Sequence, residues 1–161
     1  MYRPKKYNFT EALQRLRKYC AYQERCHQEV KNKLYEWGFD SEDSGKVIVQ
    51  LMEERMLNEE RYTKAIIGGK FRQKGWGRVK ITQALKAKGI VGNLINYSMN
   101  EIDDTEYRNK LKGIMIKKLG TIKSETVLIK KQKIARFAIG KGFETDLVWE
   151  IIKNLSEEGI L

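Results

Sequence analysis

Proline is almost absent: Pro4 is the only one in 161 residues. Beyond the first few positions nothing therefore breaks a helix in the way proline does, by removing an N–H and clashing with the preceding turn. Cysteine and histidine are as scarce. Cys20, Cys26 and His27 fall short of the four ligands of a structural zinc, and the two thiols read as small packing residues in a reducing cytosol. No apolar run approaches the roughly 20 residues of a membrane span, and no signal peptide is visible, so a cytoplasmic location is expected. Carboxylates are missing from Arg61 to Asn100, forty residues that hold nine Lys or Arg and no Asp or Glu. The stretch thus lacks the clustered acids that a metal-dependent nuclease needs. His27 has no evident acid–base partner, and Gly75-Trp76-Gly77 lacks the Lys-Ser/Thr ending of a phosphate-binding loop. A binding protein is expected, not an enzyme, with no metal and no cofactor.

Positive charge is in excess. The net charge is +11, with a pI of about 9.6, which attracts polyanions. Basic residues are interleaved through the apolar stripes, and no strong Trp/Phe/Leu face stands opposite them, so nucleic acid is favoured over a membrane surface. Residues 1–57 carry 11 basic and 9 acidic side chains, net +2; 58–104 carry 9 and 5, net +4; 105–161 carry 12 and 7, net +5. Most polyanion contacts are therefore expected after residue 57. The hydrophobic share of 41% is enough for a core, which argues against disorder.

One phrase occurs three times, around Gly38-Phe39, Gly89-Ile90 and Gly142-Phe143. Eight residues before each Gly stand Val30, Ile81 and Ile134; four before, Leu34, Leu85 and Ala138. Ten after come Ile48, Met99 and Ile152; thirteen after, Leu51, Ile102 and Leu155. Apolar residues four apart share a helix face, and a Gly just past the last of them is a helix stop. The pattern predicts an all-α fold of three tandem three-helix repeats, at 9–57, 58–104 and 105–161, after a frayed lead-in over 1–8. Repeats of about 50 residues are marginal alone, so neighbours are expected to share buried surface.

In chain order, Asn8 or Thr10 can cap the first helix, whose stripe is Ala12, Leu13, Leu16, Tyr19 and Cys20. Ser41 is placed to cap the third, whose buried face includes Met52. Asn58 caps the fourth, where Gly68-Gly69 calls for close packing or a bend. Asp104 or Thr105 opens the seventh helix, and Thr145 caps the last. Trp37 and Trp149 fall on apolar stripes and are expected in the core. The closing Leu155–Leu161 echoes Leu51–Leu57, as if the chain stops where a repeat stops.

Three segments together carry a family resemblance: Asn58-Glu59-Glu60-Arg61-Tyr62, Phe71-Arg72-Gln73-Lys74-Gly75-Trp76-Gly77-Arg78-Val79-Lys80-Ile81, and Ala84-Leu85-Lys86-Ala87-Lys88-Gly89-Ile90. They resemble the RecX family of recombination regulators. Ala12-Leu13, Leu16, Glu29-Val30, Leu34 and Gly38-Phe39 fit that family's first repeat, and Lys133, Arg136-Phe137-Ala138 and Gly142-Phe143 its third. Two positions depart from the pattern: Tyr62 where Phe is frequent, and Ala138 where Leu is common. The resemblance implies an elongated, curved molecule, a monomer, that lies in the groove of the RecA recombinase filament on single-stranded DNA. It also implies suppression of ATPase, strand exchange and coprotease activity, and direct binding of single-stranded DNA, with double-stranded DNA as a further ligand. A stand-alone architectural DNA- or RNA-binding repeat protein is the alternative.

The candidate contacts to DNA or RecA are Arg72, Lys74, Trp76, Arg78, Lys80, Lys86, Lys88, Lys130, Lys131, Lys133, Arg136 and Lys141. Trp76 has two readings: a base-stacking or docking aromatic among cations, or a ring closing the gap between two helices. Arg72, Lys74, Arg78 and Lys80 are expected to act as one exposed field whose removal leaves folding intact. In the first repeat Glu11, Glu29 and Glu36 are expected to dilute Arg15, Arg17, Lys31 and Lys33.

Overall fold

The computed structural model describes residues 3–123 and 126–161; Met1 and Tyr2 of the lead-in, and Ser124 and Glu125, lie outside the described residues. Helices α1 (Phe9–Tyr22), α2 (His27–Glu36) and α3 (Ser41–Glu53) form the first triplet, and α4 (Glu59–Arg72), α5 (Arg78–Ala87) and α6 (Gly92–Ser98) the second. A 3-10 turn, Met99–Glu101, extends α6. Helices α7 (Asp104–Leu119), α8 (Val127–Gly140) and α9 (Thr145–Glu157) form the third triplet. No strand occurs among the described residues.

The three glycines stop the three second helices in one way. Gly38, Gly89 and Gly142 have φ of +85°, +77° and +96°, a conformation that costs glycine little. In each case the next N–H, from Phe39, Ile90 or Phe143, donates to the carbonyl of Leu34, Leu85 or Ala138. The residue carrying that N–H then turns into the core. Ala138 is itself fully buried. The Leu51–Leu57 echo is also structural: Arg55 and Gly159 both take positive φ, and Met56 and Ile160 donate to Leu51 and Leu155.

Two of the same three turns join neighbouring repeats, and the third receives the lead-in. The carbonyl just before the glycine accepts a bond from upstream chain every time. Lys141 O accepts from Gly77 N at 2.8 Å, and Gly142 O from Val79 N at 2.9 Å. Lys88 O takes the Cys26 thiol at 3.9 Å and, with its nitrogen turned toward α5, the Gln28 amide at 3.0 Å. Trp37 O accepts from Lys6 N at 2.8 Å. The N-terminus of α2 thus meets the C-terminus of α5, and that of α5 meets the C-terminus of α8. The helix dipoles are set head to tail, a favourable arrangement. At the Gly38 turn residues 4–6 take that place on α2. The described part of the lead-in is accordingly docked and not frayed: Lys5 pairs with Asp43, and Tyr7 sets its ring edge-on to Trp37, centroids 5.1 Å apart.

Burial divides the chain unevenly. The first repeat has a core of its own, built on Leu16, Val30, Leu34, Val47 and Leu51. The second and third share one, running from Ile67, Phe71, Ile81 and Leu85 to Leu111, Ile134, Phe143 and Leu155. Its centre is a column of rings: Tyr107 lies 5.6 Å from Phe71 and 5.2 Å from Phe143. From the first repeat only Cys26 enters it. The seam between repeats one and two is otherwise polar: Arg61 pairs with Glu24 at 2.6 Å, and His27 N donates to Glu59 at 3.0 Å. A core shared by all three repeats was expected; it spans two.

Several details differ from the sequence expectation. Asn8 caps α1 and Asn58 caps α4, but α3 is capped by Asp40, one residue before Ser41, and α7 by Asp103. At α9 Glu144 holds the cap position without a side-chain bond, and Thr145 lies inside the helix. Trp149 is 44% exposed and Met52 46%. Each flanks a buried stripe, Leu147, Val148, Ile151 and Ile152 or Ser44, Val47, Ile48 and Leu51, that is full without it. Burial pushes both cysteine thiols up, which keeps them protonated and unreactive.

Gly69 shows no close packing: a methyl group added there would meet nothing within 4 Å. Its helical position then carries only the entropic cost of glycine. Gly69→Ala should raise stability by about 1 kcal/mol, read as a higher urea midpoint at unchanged slope. A loss would show that the helix needs the bare backbone.

Candidate functional site

Along α7 and the turn that follows it, Lys110, Ile114, Lys117, Lys118 and Thr121 recur at three- and four-residue steps; along α8 and its C-cap, Lys133, Phe137 and Lys141 recur every four. Each set forms one helix face, and α7 packs on α8. Between them, closed at one end by the Gln73–Gly75 turn, lies a hollow of about 430 Å3 lined by Lys74, Lys110, Lys117, Lys118, Phe137 and Lys141. It continues into a second hollow, again about 430 Å3, where Lys123, Lys133 and Arg136 join Lys118 and Phe137. Among the described residues no carboxylate lines either hollow. Glu125, the one acid in this part of the sequence, lies outside the described residues.

The turn is held by lysines that also face the groove. Lys110 Nζ donates to Arg72 O at 2.9 Å and Lys141 Nζ to Lys74 O at 3.2 Å. Each ammonium has three donors, so both keep donors for a ligand. Phe137, half-buried, forms the floor, with Lys118 Nζ 4.8 Å and Lys141 Nζ 5.7 Å from its centroid. An aromatic ring under a rim of ammonium groups can take a base on its face and phosphates at its edge.

The residues singled out from sequence separate into four groups. Lys74, Lys133, Arg136 and Lys141 come together in the groove. Arg72 and Arg78 do not: both are engaged between repeats. Arg72 forms a two-pronged pair with Glu106, at 2.8 and 3.2 Å, and that bond holds the Glu106 carboxyl below its usual range. The Arg78 guanidinium lies 3.7 Å from the Tyr107 ring centroid, between Asp104 at 3.6 Å and Glu144 at 3.8 Å. Its backbone N–H donates to Tyr107 Oη, which donates to Glu144. The stretch that is acid-free in sequence is therefore not acid-free in space, and the exposed four-cation field expected around the Gly-Trp-Gly turn is not formed.

Trp76 packs partly against the shared core, with Lys70 and Lys80 at 4.7 and 4.4 Å from its ring centroid. Lys86 and Lys88 lie exposed at the far end of α5; Lys130 and Lys131 lie half-buried in the first turns of α8, away from the groove lining. Sequence inspection passed over Lys110, Lys117, Lys118, Lys123 and Phe137. The i, i+4 recurrence of Lys110, Ile114 and Lys118 was the available signal, masked because α7 carries cations on its other faces too.

Sequence models of three RecX three-helix domains match successive parts of the chain: the first domain residues 12–51, the second 58–98 and the third 104–152. The chain belongs to the RecX family. It is 30% identical to the regulatory protein RecX of Chlorobaculum tepidum over 125 residues, 78% of this chain and 76% of that one. To the regulatory protein RecX of Clostridium perfringens strain 13 it is 29% identical over 131 residues, 80% of this chain but 61% of the relative. The crystal structure of RecX from Lactobacillus salivarius superposes with a TM-score of 0.85 at 22% identity, covering 92% of this chain and 96% of that one. A second RecX crystal structure gives 0.80 at 21%, covering 91% and 73%. These confirm the RecX fold. The described residues include no helix long and apolar enough to cross a membrane, and no cluster of His, Cys, Asp and Glu able to hold a metal.

Proposed function

We propose that this RecX chain is a non-enzymatic, cytoplasmic regulator of the RecA recombinase. It acts as a monomer that binds the RecA–single-stranded DNA filament and suppresses its ATPase, strand exchange and coprotease activity. The supporting observation is the groove over Phe137, lined by cations and by no carboxylate among the described residues, in a chain whose relatives are regulatory proteins. The units 9–57, 58–104 and 105–161 divide the work: the second and third, joined by one core, present the groove as a rigid body.

Substoichiometric chain added to RecA already assembled on single strands should slow ATP hydrolysis. A mere competitor for DNA would need enough protein to cover the lattice, which is the outcome expected of a stand-alone architectural protein and would refute regulation of RecA. Binding to single strands should be sequence-blind and electrostatic. For roughly five phosphate contacts, log K should fall with log salt at a slope of about −3.5. A flat salt response would contradict a phosphate-binding groove.

A further inference from the structure

A second groove, of about 910 Å3, lies on the first repeat, where charge is most dilute in the sequence. Arg15, Lys18 and Tyr19 of α1 line one wall and Lys33 and Trp37 of α2 the other. It is built from the same repeat positions as the groove between α7 and α8. Arg15 and Lys110 immediately precede the buried Leu16 and Leu111; Tyr19 and Ile114 precede the buried Cys20 and Met115. Five and one residues before the helix-ending glycine stand Lys33 and Trp37 in α2, and Phe137 and Lys141 in α8. Each pair is one cation and one aromatic, in opposite order. The second repeat has Ala84 and Lys88 there, without an aromatic.

The acids that dilute this repeat in sequence are mostly turned elsewhere. Glu29 binds Cys26 N and lies 3.8 Å from Arg25. Glu54 takes Arg17 and Gln50, and those bonds hold its carboxyl at about 2. Glu11, Gln14 and Arg17 complete the lining; Arg17 is therefore neutralised, and Glu11 is the only acid among the described lining residues. Arg15, Lys18 and Lys33 remain as cations. The aromatic wall is braced: Tyr7 meets Trp37 edge-on, and Arg15 lies 4.2 Å from the Tyr7 ring centroid. Lys33 lies 5.5 Å from the Tyr19 centroid.

We infer that this groove is a second contact for single-stranded nucleic acid, with unpaired bases against Trp37 and Tyr19 and phosphates at Arg15, Lys18 and Lys33. The inference rests on the proposal that the chain binds single strands, and adds a site on the first repeat. Interleaved aromatics and cations favour a nucleic acid over an acidic peptide, which would use the cations and leave the rings idle. A concave groove with an aromatic wall fits unstacked bases better than the convex phosphate rails of a duplex.

The test uses the full chain and oligothymidylate carrying 5-iodouracil, which on irradiation joins covalently to an aromatic ring it touches. Adducts are expected at Trp37 or Tyr19 as well as at Phe137. Arg15→Ala/Lys18→Ala/Lys33→Ala should lose the Trp37 and Tyr19 adducts and keep that at Phe137. Its salt slope should be shallower by about 2, at about 0.7 per lost phosphate contact. Unchanged salt slope with adducts confined to Phe137 would overturn this second site while leaving single-strand binding standing. Binding of oligothymidylate by neither protein would remove both proposals. Binding of polyglutamate that is lost in the triple variant, with no oligothymidylate adduct at Trp37 or Tyr19, would assign the groove to an acidic protein partner and overturn the inference.

Discussion

Leu85→Ala should destabilise the second and third repeats together by about 2–5 kcal/mol and leave the first close to its wild-type stability. Leu85 is fully buried in the core those two repeats share. Its carbonyl also accepts the bond from Ile90 that ends α5. Deleting its side chain opens a cavity that surrounding atoms refill only in part, and the shared core spreads the loss from α4 to α9. The first repeat is joined to the second by Cys26, a few hydrogen bonds and the Glu24–Arg61 pair. Hydrogen exchange should show amides of α4 to α9 losing protection as one block, with α1 to α3 unchanged. Equal loss from α1 to α9 would mean that the polar seam couples repeats as strongly as the core does.

Gly77→Ala should be at least as damaging, by the opposite mechanism. A methyl group at Gly77 would lie 2.3 Å from the carbonyl carbon and oxygen of Gly142 and 2.4 Å from Phe143 N. All are backbone atoms, so no side chain can swing aside. The junction must open, and both bonds across it, Gly77 to Lys141 and Val79 to Gly142, are put at risk. Overpacking of about 1–3 kcal/mol and roughly 1 kcal/mol for each lost bond combine to several kcal/mol. Gly69→Ala, eight residues earlier in the same repeat, changes stability in the other direction. Denaturant unfolding of the two variants side by side separates a glycine required by contact from one that is not. A Gly77→Ala variant as stable as wild type would mean that the repeats do not meet as described.

What the sequence revealed follows from what is local. Leu34, Leu85 and Ala138 declared the helices by their distance from a glycine, and that distance is fixed by helix geometry whatever surrounds it. Asn8 and Asn58 declared their caps for the same reason. Charge was misread in both directions because pairing is decided through space. Arg72 and Arg78 sit among cations in sequence, yet meet Glu106, Asp104 and Glu144 across the junction. Arg15 and Lys33 sit near acids in sequence, yet line a groove with a single acid in it. The groove over Phe137 was half legible: Lys74, Lys133, Arg136 and Lys141 were on the page, while Lys110, Lys117 and Lys118 enter only once α7 is laid against α8. Trp149 and Met52 show the limit of stripes, since an apolar residue beside a filled face has nowhere to go but out.

These placements decide which charges to remove. Replacing Arg72 and Arg78 would cut ion pairs between repeats, so any loss of activity would be confounded with loss of structure. Lys74, Lys117, Lys118 and Arg136 line the groove and form no salt bridge with another described residue. The direct measurement is inhibition of RecA ATPase on single-stranded DNA at fixed salt, for Lys74→Ala/Lys117→Ala/Lys118→Ala/Arg136→Ala against Lys31→Ala/Lys46→Ala/Lys86→Ala/Lys153→Ala. Both variants lose four positive charges, and both should melt near the wild type because exposed charges contribute little to folding. If the groove over Phe137 is where the chain engages the filament, the first variant should need at least tenfold more protein for half-inhibition and the second should stay close to wild type. Equal loss in the two would show that net charge alone is at work and would contradict the site.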